Sequence, residues 1–173
     1  TKGQMINGSL IRPSLINPGS IVVVGGSNHF EKPGGKVLKN LLDGQFAGDL
    51  YAVNPKEKNI QGITCQATVG ELESVDLALI CVPAKFCTEI VKTLAFEKNT
   101  RAFVILSAGF GEESEQGKQW ETEIAAIVNS VNGCLLGPNC IGLLNTHYQG
   151  VFTSPIPTLD AKGCDLISSS GAT

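Results

Sequence analysis

IVVVGGSNHFEKPGGK, residues 21–36, decides how this chain is read. Four β-branched apolar residues, Ile21 to Val24, run straight into Gly25 and Gly26. A stiff buried strand feeding a permissive turn is how nucleotide-binding α/β domains begin. The loop nevertheless fits neither familiar phosphate-loop spelling. Positions 25–30 read GGSNHF, which breaks the G-x-G-x-x-G pattern of dinucleotide sites. Lys36 is followed by Val37 where Walker A needs Ser or Thr, and position 30 is Phe. What survives is the physics. Glycines let backbone N–H groups approach phosphate oxygens, and a helix beginning near Lys36 offers its positive end. Such turns also serve as plain connectors, so the loop alone leaves both readings open.

Working outward, apolar runs alternate with helical patterns. The strand-like runs are Ile21–Val24, Leu50–Val53, Leu77–Val82, Ala102–Leu106 and a short Cys134–Leu136. Between them, Val37, Leu38, Leu41 and Leu42 mark one side of a helix, and Phe86, Ile90, Val91 and Leu94 a second. Trp120, Ile124, Ile127, Val128 and Val131 mark a third. Short apolar strands without polar alternation belong to a parallel sheet covered on both faces. The expectation is an α/β, Rossmann-like doubly wound fold with a mainly parallel sheet and helices on both faces.

The 173 residues suit one domain, or one domain and the beginning of another. No run approaches a membrane span, and RPSLINPGS stands where the apolar region of a signal peptide would sit, so the expected compartment is the cytoplasm. The six cysteines form no C-x-x-C pair and the two histidines are scattered, which argues for inert reduced thiols and against zinc. A net charge of −3 argues against a broad nucleic-acid surface. Residues 1–60 carry seven Lys or Arg against four Asp or Glu, so the half with the glycine loop is the basic half. That suits an anionic ligand there, although solvated lysines would give the same count.

Ligands of doubly wound sheets bind beyond the carboxyl ends of the strands. The second strand ends in Asn54-Pro55-Lys56, where an NAD site would place a carboxylate for the ribose. A lysine there suits an extra phosphate on the ribose, or is simply a solvated turn residue. The third ends in Val82-Pro83, the fourth in Ser107-Ala108-Gly109, and the fifth in Gly137-Pro138-Asn139-Cys140. Each is explicable as punctuation; together they read as one ligand-facing rim. No histidine adjoins Cys140 in sequence, which argues against a nucleophile.

The segments SIVVVGGS, PGGKVLKNLL, YAVNPK, DLALICVPAKFC, VILSAGFGEE, GPNCIG and LISSSGAT, in this order over roughly residues 15–173, resemble the CoA-binding domain of NDP-forming acyl-CoA synthetases. That group includes ADP-forming acetyl-CoA synthetase and the succinyl-CoA synthetase α subunit. The resemblance implies that Gly25, Gly26, Ser27, Gly34, Gly35 and Lys36 wrap the CoA phosphates. Val53, Asn54, Pro55 and Lys56 would meet the adenosine end, and Val82 and Pro83 the adenine. Ser107, Ala108 and Gly109 would face the pantetheine arm, with Asn139 and Cys140 near the thiol.

It further implies an acid–thiol ligase as the full-length protein. Such an enzyme interconverts acyl-CoA, phosphate and NDP with acid, CoA and NTP. Mg-nucleotide (ADP or ATP) would serve other parts, and the partner would be the rest of the chain or an ATP-grasp subunit, in an oligomer without nucleic acid or membrane. The family's phosphorylated histidine lies beyond this segment, and neither His29 nor His147 matches it. This stretch is therefore expected to hold no catalytic residue and no metal. Residues 1–18 read as an N-terminal arm, 19–144 as the CoA-binding domain, and 145–173 as a linker and the start of a truncated second (ligase) domain. Three alternatives stand: a regulatory module of a protein acetyltransferase, a stand-alone CoA-binding protein, and an NADP-dependent oxidoreductase.

Overall fold

Alternate residues of the central strands enter two different cores. Val22, Val24, Ala78, Ile80, Phe103 and Ile105 face one side of the sheet, whereas Ile21, Val23, Leu77, Leu79, Ala102 and Val104 face the other. All twelve are 0–2% exposed, which is why these runs show no polar alternation. The computed structural model of the chain describes residues 11–159.

The elements run α1 (Pro13–Ile16), β1 (Ser20–Val24), α2 (Pro33–Asp43), β2 (Asp49–Val53), β3 (Asn59–Ile60) and β4 (Ile63–Gln66). They continue as β5 (Leu77–Ile80), α3 (Ala84–Glu97), β6 (Ala102–Ile105), α4 (Glu115–Ser130), β7 (Cys134–Leu136), β8 (Gly142–Leu144) and β9 (Gln149–Val151). The main sheet has the order β3-β4-β2-β1-β5-β6-β7. All pairs are parallel except β3 with β4. Leaving out β3, this is the doubly wound order, with β1 central and the chain turning outward on either side of it. One face is covered by α3 and α4 through Cys87, Val91, Leu94, Ile124 and Val128. The other is covered by α2, through Val37, Leu38 and Leu41, together with Leu15, Leu143 and Tyr148.

The helical stripes differ from expectation at two residues. Phe86 is 51% exposed and Leu42 36%. In α3 the inward positions belong to the smaller Ala84, Cys87, Val91, Leu94 and Ala95, which let the helix lie close to the sheet. The region expected to be a linker from residue 145 instead begins inside a hairpin. β8 and β9 pair antiparallel, Leu143↔Gly150 among them, and Leu143, Tyr148 and Val151 are buried. The Tyr148 hydroxyl donates to Leu15 O at 2.6 Å, and Asn145 Nδ2 to Ile16 O at 2.9 Å, which ties this part of the expected arm to the same body. The expected opening of a second domain, from LISSSGAT, lies outside the described residues.

Asn40, buried in α2, donates through Nδ2 to Val151 O (2.6 Å) and Thr153 O (3.1 Å). Replacing it leaves two carbonyls without that donor. Asn40→Ala should cost about 1–3 kcal/mol in denaturant unfolding, the range for an unsatisfied buried polar group. A midpoint equal to wild type would show that water replaces the amide at no cost.

The thiols also set a pH limit. Cys87 is fully buried, and burial pushes its thiol up to about 12. The unfolded chain can ionise this group from about 9 upward while the native state cannot, so the native state retains the proton and loses stability as pH rises. Between pH 8 and 10 the stability should fall by roughly 1 kcal/mol more in the parent than in Cys87→Ala. Parallel pH profiles of the two would overturn this assignment.

Candidate functional site

The parallel strands end on one rim, and their tips are stitched together in sequence across the sheet. Gly25 N–H donates to Val53 O and Cys81 N–H to Val24 O, both at 2.8 Å, which carries the β2, β1 and β5 ladders one residue past the strands. Leu106 N–H donates to Ile80 O (2.9 Å), the Ser107 hydroxyl to Val82 O, and Asn139 N–H to Ser107 O (3.0 Å). All five expected tips are thus on one edge of the fold. The first loop occupies the point where the chain winds away from β1 in both directions.

Gly25 sits at that point with φ +86°, and a Cβ there would lie 2.8 Å from Cys81 O and 2.9 Å from Val82 Cγ1. Only glycine satisfies both constraints. The helix starts at Pro33, earlier than the expected Lys36, with Pro33 at its first position. Gly34 and Gly35 are buried, and their faces press on the loop backbone: a Cβ on Gly34 would run into Gly25 O, and one on Gly35 into His29 O. These two glycines let α2 close on the loop. By contrast, a Cβ on Gly26 would meet Ala52 Cβ at 3.5 Å and Ile60 Cδ1 at 3.6 Å, ordinary contact distances.

Gly26 and Ser27 are buried residues, yet among the described residues neither their N–H groups nor that of Asn28 donates to an acceptor. A backbone N–H without a partner in the chain is left to water or to a ligand. Three consecutive donors at the mouth of α2 form a cradle suited to phosphate oxygens. Two cations of the sequence reading flank it: Lys36 is half-buried on the first turns of α2, and Lys56 is exposed beyond β2. His29 is exposed, with Nδ1 3.6 Å from Glu31 Oε1. Phe30 is 51% exposed at the loop's outer edge.

Other expected residues turn out to brace the rim through their side chains. Asn54 donates from Nδ2 to Gly26 O at 2.8 Å and accepts Lys56 N–H at Oδ1 at 2.9 Å. The Cys140 thiol donates to Ile105 O at the end of β6 (3.3 Å), and burial raises its pKa, which suits an inert group. Val53 is buried, and Val82 is half-buried beside exposed Pro83. Ala108 and Asn139 are exposed, and the N–H groups of Gly109 and Phe110 are taken by the Glu112 carboxylate at 2.7 and 3.2 Å. Gln61 escaped the sequence reading. It lies in the β3–β4 turn and donates from Nε2 to Ser27 O and Gly35 O, both at 2.9 Å. A cleft lined by Gly44, Asn145, His147, Tyr148 and Gln149 lies at the far end of α2 from this loop. Among the described residues no group of three or more His, Cys, Asp or Glu is placed to hold a metal ion, and no helix is long and apolar enough to cross a membrane.

The family model described as the CoA binding domain matches residues 19–146. The chain is 40% identical over 160 residues to the α subunit of ADP-forming acetate–CoA ligase II of Pyrococcus furiosus, covering 91% of this chain and 34% of that protein. It is 38% identical over 132 residues to trans-feruloyl-CoA synthase FCS1 of an unknown prokaryotic organism, covering 76% of this chain and 18% of that protein. The chain therefore spans about a third or less of these relatives. Among solved structures, the dinucleotide forming acetyl-coenzyme A synthetase 1 of Ca. Korarchaeum cryptofilum, in complex with phosphate and ADP, superposes with a TM-score of 0.74 at 29% identity. That match covers 81% of this chain and 30% of the other.

The glycines separate shape from ligand. Gly34→Ala should destabilise the fold by about 1–3 kcal/mol, because backbone must move to admit the methyl. Gly26→Ala should leave thermal stability unchanged or slightly raised. If both melt alike, the contacts drawn from the loop are wrong.

Proposed function

The chain belongs to the CoA-binding domain family, and from that membership we propose that it is the coenzyme A clamp of an ADP-forming acyl-CoA ligase. The observation that carries the reading is the row of N–H donors at Gly26, Ser27 and Asn28, at the mouth of a helix and unpaired among the described residues. In this reading those groups, with the Lys36 ammonium, hold the phosphates. Lys56 meets the 3′-phosphate, Val53 and Pro55 meet the adenosine end, and Val82 and Pro83 the adenine. Ser107, Ala108 and Gly109 line the pantetheine arm and Asn139 stands near the thiol. Gly34, Gly35, Asn54 and Cys140 contribute by shaping the rim rather than by their side chains' contact with ligand. CoA, when bound, supplies the thiol that accepts the acyl group.

The whole enzyme would interconvert acyl-CoA, phosphate and ADP with acid, CoA and ATP. Nucleotide, Mg²⁺ and the phosphorylated histidine would be supplied by further domains or an ATP-grasp subunit, and this stretch alone would be inactive. The acyl group would be selected elsewhere as well. Two relatives at 40% and 38% identity carry names with acids as different as acetate and ferulate, which suits a domain that reads only the common CoA part.

Calorimetric titration with CoA, dephospho-CoA and NADP⁺ at one ionic strength tests the reading. CoA should bind, and Lys56→Glu should weaken CoA about tenfold or more while affecting dephospho-CoA less. Equal losses for both ligands would remove Lys56 from the 3′-phosphate. Binding of NADP⁺ with silence from CoA would overturn the function and favour an oxidoreductase.

A further inference from the structure

The β3–β4 turn reaches back onto the first loop and grips its carbonyl side. Gln61 and Gly62 form a two-residue turn with φ of +51° and +87°. That geometry aims the Gln61 amide at Ser27 O and Gly35 O. The Gln61 N–H donates to Asn28 Oδ1 (2.9 Å), and Asn28 Nδ2 to Asn59 O (3.1 Å). Gly26 O is held in the same manner by Asn54.

In a planar trans peptide the C=O of one residue and the N–H of the next point in opposite directions. Holding Gly26 O therefore aims Ser27 N–H, and holding Ser27 O aims Asn28 N–H, away from the gripping amides. Every peptide so fixed presents its donor to the open side and keeps its acceptor off it. A free loop could instead rotate these peptides and turn carbonyl oxygens toward an anion.

We propose that Gln61 is a positioning residue for phosphate recognition, holding the first loop with its N–H groups outward before ligand arrives. This rests on the CoA reading above and goes beyond it, since Gln61 need not touch the ligand. Preorganised donors avoid the ordering cost at binding.

The test uses this chain with Gln61→Met, which keeps the stem and backbone strain but has no donors, and Gln61→Gly, which removes the side chain while suiting the positive φ. Both should weaken CoA and dephospho-CoA by the same factor, about tenfold, because both ligands share the pyrophosphate. Amide hydrogen exchange at His29, whose N–H is held by Ser27 Oγ, should quicken in both variants without ligand. Unchanged affinity in Gln61→Met overturns the proposal. So does wild-type Kd with reduced stoichiometry, which would mean that the variants merely unfold. Wild-type binding of CoA together with unchanged variants sinks the clamp alone. No CoA binding by the parent sinks the proposed function and the clamp with it.

Discussion

The contact on which the rest depends is the one between the first turn of α2 and the backbone of the loop before it. Gly34 and Gly35 present bare faces to Gly25 O and His29 O. That contact sets how closely the helix lies over β1, and with it the depth at which Val37, Leu38 and Leu41 enter the core. It also leaves the loop little freedom. The N-terminus of the helix, the peptide donors and Lys36 are brought to one spot by a single packing event. A methyl group at either glycine would have to be met by backbone movement on both partners.

Around this contact the rim is made mostly from main chain. The strand tips are linked by peptide bonds that continue the ladders past their ends, and the polar side chains Asn54, Gln61 and Ser107 spend their hydrogen bonds on carbonyls of the rim. Such side chains stiffen a surface without presenting themselves on it. The result is a rim that offers mostly peptide groups, turned by the side chains behind them.

Much of this was legible in the sequence. Unbroken apolar runs gave five of the six parallel strands, all but β4, to within a residue or two, because a strand buried on both faces has no reason to alternate. The glycine loop pointed to the rim, and Asn54 and Ser107 were found at their places. The hydrogen bonds they make to the rim were not. An amide that donates to a carbonyl 28 residues away leaves no local pattern, and neither does Gln61, whose partners are 34 and 26 residues away. The pairs β3–β4 and β8–β9 were missed because strands of two to four residues have too few positions to show a period. Phe86 was misread because the inward face of α3 runs through Ala84, Cys87, Val91, Leu94 and Ala95, and about 100° per residue puts position 86 on the opposite side.

The antiparallel hairpin β8–β9 lies along α2 and is joined to it by Asn40, so the same helix that closes on the glycine loop is also gripped from behind. The hairpin and the glycine loop, far apart in sequence, therefore share one support, a helix of only 11 residues.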